Sequence, residues 1–146
     1  MGLMKTCVKG VFLNIAHYTP VRGTRVLHGH TYEVRVCIEG LSTVGYLADF
    51  IKLREVVEGV VDSINYSLIV PKDEVDKVVF EAPNTVLKVA VVNGDATAEN
   101  LAKLICRRLM KFLNELVSRG SSVSKVCVDI TEPSGSLGEY CELINP

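Results

Sequence analysis

The residues best suited to chemistry are His28 and His30, two imidazoles separated only by Gly29 in the run Leu27-His28-Gly29-His30-Thr31-Tyr32-Glu33-Val34. Side chains on a strand repeat every second residue, so both histidines share a face with Tyr32, Val34, Val36 and Ile38. That face is apolar below the histidines, which places them at the end of a half-buried strand. His17 is the chain's remaining histidine. Three neutral imidazoles with a fourth position open are a common way to hold a catalytic zinc ion. An ion held so can polarise a substrate oxygen or activate water. The plainer alternative is an unmetallated cluster of partly buried polar rings. A second candidate is Glu132, which continues the apolar parity of Val126, Val128 and Ile130. A carboxylate there needs partners if buried, and the amide and amine donors of a heterocycle would serve. Spacing alone favours a rim carboxylate that reaches solvent.

The elements that must position these groups follow from periodicity. Residues 5–16 read as a strand, with Cys7, Val11, Leu13, Ile15 and His17 on one parity. A loop punctuated by Pro20 and Gly23 follows, then the strand from His28 to about Glu39. Antiparallel pairing of these strands brings His17 beside His28 and His30. Gly40 to Tyr46 reads as a turn, and Asp49 as the N-cap of a helix bearing Leu53, Val56, Val57, Val60, Val61 and Ile64. In residues 67–96, interrupted by Pro71 and Pro83, Lys77–Glu81 and Val86–Val92 are expected to form a short hairpin. Thr97 reads as the N-cap of a second helix with Glu99 in its first turn, an apolar face running to Leu116, and Gly120 as its stop. Strands at 123–131 and 138–144 complete the order ββααββ. The expectation is one α+β domain over residues 1–146, with two helices on one face of a four-stranded antiparallel sheet.

Composition bounds the function. The chain has 146 residues, 48 % hydrophobic and 23 % charged, with a net charge of −1. That is enough apolar material for a core and no field to recruit nucleic acid or an anionic membrane. No apolar run approaches membrane-spanning length and no signal-peptide pattern opens the chain, so a cytoplasmic location is expected. A loose myristoylation match at Met1–Thr6 runs straight into the first strand and is discounted. Five scattered cysteines, Cys7, Cys37, Cys106, Cys127 and Cys141, form no Cys-x-x-Cys pair, which favours reduced, mostly buried thiols.

Several motifs in order resemble one family. Phe12-x-x-x-Ala16-His17, Leu27-His28-Gly29-His30-x-Tyr32-x-Val34, Ala48-Asp49-Phe50-x-x-Leu53, Ala96-Thr97-Ala98-Glu99-Asn100-Leu101-Ala102 and Thr131-Glu132 are similar to the 6-pyruvoyl-tetrahydropterin synthase / 6-carboxy-tetrahydropterin synthase family. The resemblance implies a tunnelling fold whose subunits join their sheets into a barrel, usually a hexamer of two trimers with active sites between subunits. It implies zinc on His17, His28 and His30, Glu132 as the anchor for the pterin ring, and Thr97 near the same pocket. It also implies a lyase acting on 7,8-dihydroneopterin triphosphate, whose triphosphate Arg22 and Arg25 could meet unless they are simply solvated loop charges.

The departures from that family are specific. The family's proton-moving cysteine, four residues before His-Gly-His, is Thr24 here. The Asp-His pair that ends the family's first helix falls, ungapped, on Asn65 and Tyr66, and on Asp62-Ser63 in a shifted register. A threonine does not ionise near neutral pH and an unperturbed tyrosine stays protonated. Tyr66 can act as an acid, or as a base if a cation lowers its pKa; Thr24 is the weaker candidate. Three readings therefore stand: a zinc-dependent pterin enzyme with a replaced proton relay, a pterin- or purine-binding protein without chemistry, and an oligomeric scaffold with a structural zinc.

Overall fold

The first two strands set the frame. In the computed structural model, which describes residues 2–20 and 25–145, β1 (Leu3–His17) and β2 (His28–Ser42) pair antiparallel along their whole length. The ladder slips between Val8 and Val11, where Gly10 takes φ +76°, a conformation glycine adopts at little cost. The bulge inverts the parity of the strand. Thr6 and Val8 face the core before it; Val11, Leu13, Ile15 and His17 do so after it. Cys7 therefore lies on the outer face, away from the Val11–Ile15 side on which uninterrupted alternation puts it.

The chain continues as α1 (Phe50–Ile64), β3 (Ser67–Pro71), a 3-10 turn (Val75–Lys77), β4 (Val89–Val92), α2 (Ala98–Met110), α3 (Leu113–Leu116), β5 (Ser121–Thr131) and β6 (Leu137–Leu143). Asp49 caps α1, its carboxylate accepting from the amides of Ile51 and Lys52. Leu53, Val57, Val60, Val61 and Ile64 bury the helix's inner stripe. Thr97 caps α2 by accepting from the Asn100 amide. The apolar faces of both helices join Val34, Val36, Ile38, Val126, Val128 and Ile130 in one core on a single face of the sheet.

That sheet has six strands in the order β4-β3-β1-β2-β5-β6, which corrects the four-stranded antiparallel expectation. β3 lies parallel to β1, and β4 parallel to β3. The hairpin expected within 77–92 does not form. Residues 72–88 instead carry the chain back to the starting side, so β4 enters in the same direction as β3. Of residues 77–92, only Val89–Val92 is strand. The second helix also ends sooner than its apolar pattern: α2 closes at Met110, and Leu113–Leu116 form a separate short helix. Gly120, at φ +86°, serves the turn into β5.

The cysteines are a further correction. Cys7 is bridged to Cys37 and Cys127 to Cys141, and the buried Cys106 is the free thiol. Spacing along the chain conceals these pairs because they are made by strand register: Cys7 faces Cys37, and Cys127 faces Cys141, across antiparallel ladders.

Candidate functional site

At one end of the sheet the β1–β2 register sets His17 opposite His28 and Ile15 opposite His30. The ligand-capable atoms of His17, His28 and His30 all lie within 4.8 Å of one another. The hydrogen bonds around them define the tautomers. His17 Nδ1 is 2.7 Å from the Ala96 carbonyl oxygen, and His28 Nδ1 is 2.7 Å from that of Val26. A carbonyl only accepts, so each Nδ1 carries the proton and donates it. In the neutral rings each Nε2 then presents a lone pair, and these two atoms stand 2.9 Å apart. Two facing lone pairs repel unless a cation lies between them. Burial lowers the His17 pKa, an effect reinforced by His28 and His30 and opposed by the Ala96 carbonyl and Glu132. A proton is thus the less favoured cation on His17. Ring nitrogens oriented by backbone carbonyls are the usual outer support of a histidine-bound metal, so the residues fit a divalent ion.

His30 stacks on Tyr32 with centroids 5.0 Å apart, and its Nε2 lies 3.7 Å from Glu132 Oε1. Glu132 reaches this place because Glu33 of β2 pairs with Thr131 at the end of β5, one residue before it. Its second carboxylate oxygen accepts from the Ser134 hydroxyl at 3.3 Å. His17, His28, His30, Tyr32, Thr97, Glu99 and Glu132 line one cavity of about 720 Å³. Burial raises the Tyr32 pKa, and the nearby charges of Glu132 and Glu99 raise it further, so its phenol stays protonated. Residue type and spacing give Glu99 and Tyr32 no site role. The signal available was position: Glu99 follows the N-cap Thr97, and Tyr32 shares the parity of His28 and His30.

The remaining candidates lie elsewhere. Tyr66 takes φ +61°, is 77 % exposed, and opens on a separate cavity of about 600 Å³ with Tyr18, Leu27, Phe80 and Leu87. Arg25 is paired with Glu74 at 2.6 Å, its guanidinium over the Tyr18 ring. Thr24 and Arg22 lie outside the described residues.

Known proteins are similar to this chain in sequence and in fold. The family profile described as 6-pyruvoyl tetrahydropterin synthase matches residues 6–142. A Pyrococcus horikoshii protein named as a proposed 6-carboxy-5,6,7,8-tetrahydropterin synthase is 33 % identical over 131 residues, covering 82 % of this chain and 77 % of its own. The dihydroneopterin monophosphate aldolase of Pyrococcus furiosus is 41 % identical over 51 residues, 35 % of this chain and 45 % of that protein. A Plasmodium vivax 6-pyruvoyltetrahydropterin synthase, solved as a mutant of a catalytic glutamate, superposes with a TM-score of 0.75. That match covers 99 % of this chain and 100 % of the other at 22 % identity, and so speaks for the fold alone. With the profile spanning nearly the whole sequence and a relative this similar across most of it, the chain belongs to the 6-pyruvoyl tetrahydropterin synthase family.

Proposed function

We propose that this protein is a zinc-dependent pterin enzyme acting on 7,8-dihydroneopterin triphosphate or a related dihydropterin, with the family's usual proton relay replaced. The observation that carries it is the pair of Nε2 lone pairs from His17 and His28 converging in a cavity that also holds His30 and Glu132. His17, His28 and His30 would hold the metal, which when bound supplies Lewis acidity to substrate oxygens. Glu132 accepts hydrogen bonds from the pyrimidine edge of the pterin, and the Tyr32 phenol stays a donor. Thr97, occupied as the α2 cap, shapes the wall. A carboxylate is the group on the described walls best able to move a proton near neutral pH, in place of the thiol and imidazole that this family uses. Tyr66 opens on another cavity of its own chain, so it takes part only if a neighbouring copy, in the trimer or hexamer expected here, brings it to the pocket. The aldolase name of one relative favours carbon–carbon cleavage of a dihydroneopterin derivative among the related reactions.

The test is product formation from 7,8-dihydroneopterin and its mono- and triphosphates, followed chromatographically, with zinc content measured in parallel. Turnover is expected, with loss on chelation and in the His28→Ala variant, whose zinc falls from one ion per chain to almost none. No turnover on any of the three overturns the reading. A second reading is favoured by the absence of cysteine from the described cavity walls: a binding protein that holds a pterin or purine through Glu132 without converting it. It predicts tight binding with unchanged ligand, and product at enzyme-like rates excludes it.

A further inference from the structure

The outer face of the sheet, opposite the helices, carries a row of four cysteines on four consecutive strands. Cys7 pairs with Cys37 across β1 and β2, Cys37 with Cys127 across β2 and β5, and Cys127 with Cys141 across β5 and β6. Directly paired residues of an antiparallel ladder share a face, so the four sulfurs stand side by side. Two bridges are closed, Cys7–Cys37 and Cys127–Cys141, each with its Cα atoms 4.1 Å apart. That close approach marks non-hydrogen-bonded pairs. A residue's own N–H and C=O point to the same side of its strand. Cys37 and Cys127 therefore form a hydrogen-bonded pair, with Cα atoms about 5.5 Å apart in a regular ladder. Disulfides most often span Cα atoms about 5.5–6 Å apart but bring their Cβ atoms to about 3.5–4.5 Å, closer than the roughly 5.5 Å of a hydrogen-bonded pair, so a Cys37–Cys127 bridge asks for side-chain rotation and a local approach of β2 and β5 by about 1 Å.

We propose that this row is a thiol–disulfide exchange site in which Cys37–Cys127 is a third, interconverting bridge. A small dithiol opens Cys7–Cys37 at the exposed Cys7 end, the dithiol becoming a disulfide and both cysteines becoming thiols. The Cys37 thiolate then attacks Cys127 Sγ. The Cys37–Cys127 bond forms, the Cys127–Cys141 bond breaks, and Cys141 leaves with the electron pair and takes up a proton. Displacement at sulfur proceeds through such a mixed arrangement of three sulfurs, which a row across three adjacent strands supplies. Cys141 Sγ lies 3.4 Å from Glu139 Oε1, so the released thiol finds an acceptor at hand. The row is independent of the histidine cavity, sharing no residue with its walls.

The experiment is disulfide mapping by mass spectrometry on the folded full-length protein, quenched in acid with N-ethylmaleimide. Wild type given one equivalent of dithiothreitol is expected to contain a Cys37–Cys127 bridge, with Cys7 and Cys141 alkylated. The Cys7→Ser and Cys141→Ser variants, purified without reductant, are expected to converge on the same bridge from opposite ends. Finding only the surviving native bridge in both variants, with its neighbour stably free, overturns the proposal. So does a wild type purified with all five thiols free, or any bridge to the buried Cys106, which would show exchange through the unfolded chain. The partial reduction of wild type decides the matter even if a variant fails to fold.

Discussion

At the scale of single residues, His17 ties the histidine cluster to the loop before α2 through its bond to the Ala96 carbonyl. Its pKa is lowered from 6.5, mainly by burial, so the unfolded chain binds the proton more readily than the folded one. Stability then rises with pH across that interval: the contribution is complete above 6.5 and is lost as pH falls toward the folded value. For chelator-treated protein, thermal unfolding temperature is expected to drop between neutral pH and pH 5.5, and His17→Gln to flatten that slope. Glu132 calls for a different measurement. Glu132→Gln keeps the shape but loses the charge, and hydrogen bonds to charged groups contribute about 1.5–3 kcal/mol. Dihydroneopterin affinity, measured by fluorescence titration, should fall roughly 10- to 100-fold by that magnitude, with zinc content unchanged. An unaltered affinity would remove Glu132 from the binding edge.

Among the elements, two glycines set the register of the central strands. Gly10 at φ +76° allows the bulge that turns His17 to the core face; open space surrounds it, so a side chain there meets only backbone strain. Gly10→Ala should cost about 1 kcal/mol. Gly40 is the harsher case. A Cβ there would lie 1.9 Å from the Ser122 carbonyl oxygen, which belongs to the paired backbone of β5 and cannot rotate away. Gly40→Ala should cost about 3 kcal/mol or more, in keeping with overpacked sites. Denaturant midpoints of the two variants check the order, and equal losses would contradict it. The elements themselves were largely legible in the sequence. The caps Asp49 and Thr97 and the apolar stripes that follow them are local signals, and the helices start where those signals put them. The β2 alternation from His28 is equally local. The apolar pattern gives β1 one unbroken parity because the Gly10 bulge leaves no mark in it. β3 escapes detection because Ser67–Pro71 is a short apolar run ending in proline, and β4 is misjoined because its four residues are uniformly apolar in type and its direction depends on where the intervening loop returns.

For the whole molecule, the two bridges and the free thiol give a definite count. Without reductant, the native protein is expected to show no reactive thiol to a disulfide reagent. Denaturation alone should expose one, and reduction in denaturant five. The one is Cys106, whose pKa burial pushes up to about 12, with Glu142 adding to the effect and Arg107 opposing it. It is therefore uncharged and inaccessible in the fold. The bridges close loops with sequence separations of 30 and 14, and on the chain-entropy account they add about 3.5 and 3 kcal/mol of stability respectively. A native count above zero would show that the bridges are open. Among the described residues no helix is long and apolar enough to cross a membrane.

By itself the sequence determined the candidate donor set and the local grammar around it. His28 and His30 share a face because strand geometry repeats every two residues, and His17 joins them because a loop returns β2 alongside β1. The family motifs add the pterin reading by resemblance. Only the tertiary structure decided which groups meet. It placed Glu132 and Glu99 in the histidine cavity, put Tyr66 on another, aligned four distant cysteines in one row, and set the order of six strands. Local pattern reports the energetics of neighbouring residues along the chain. Strand order, direction and register depend on bulges, crossovers and packing between residues far apart in sequence, which short-range periodicity does not encode.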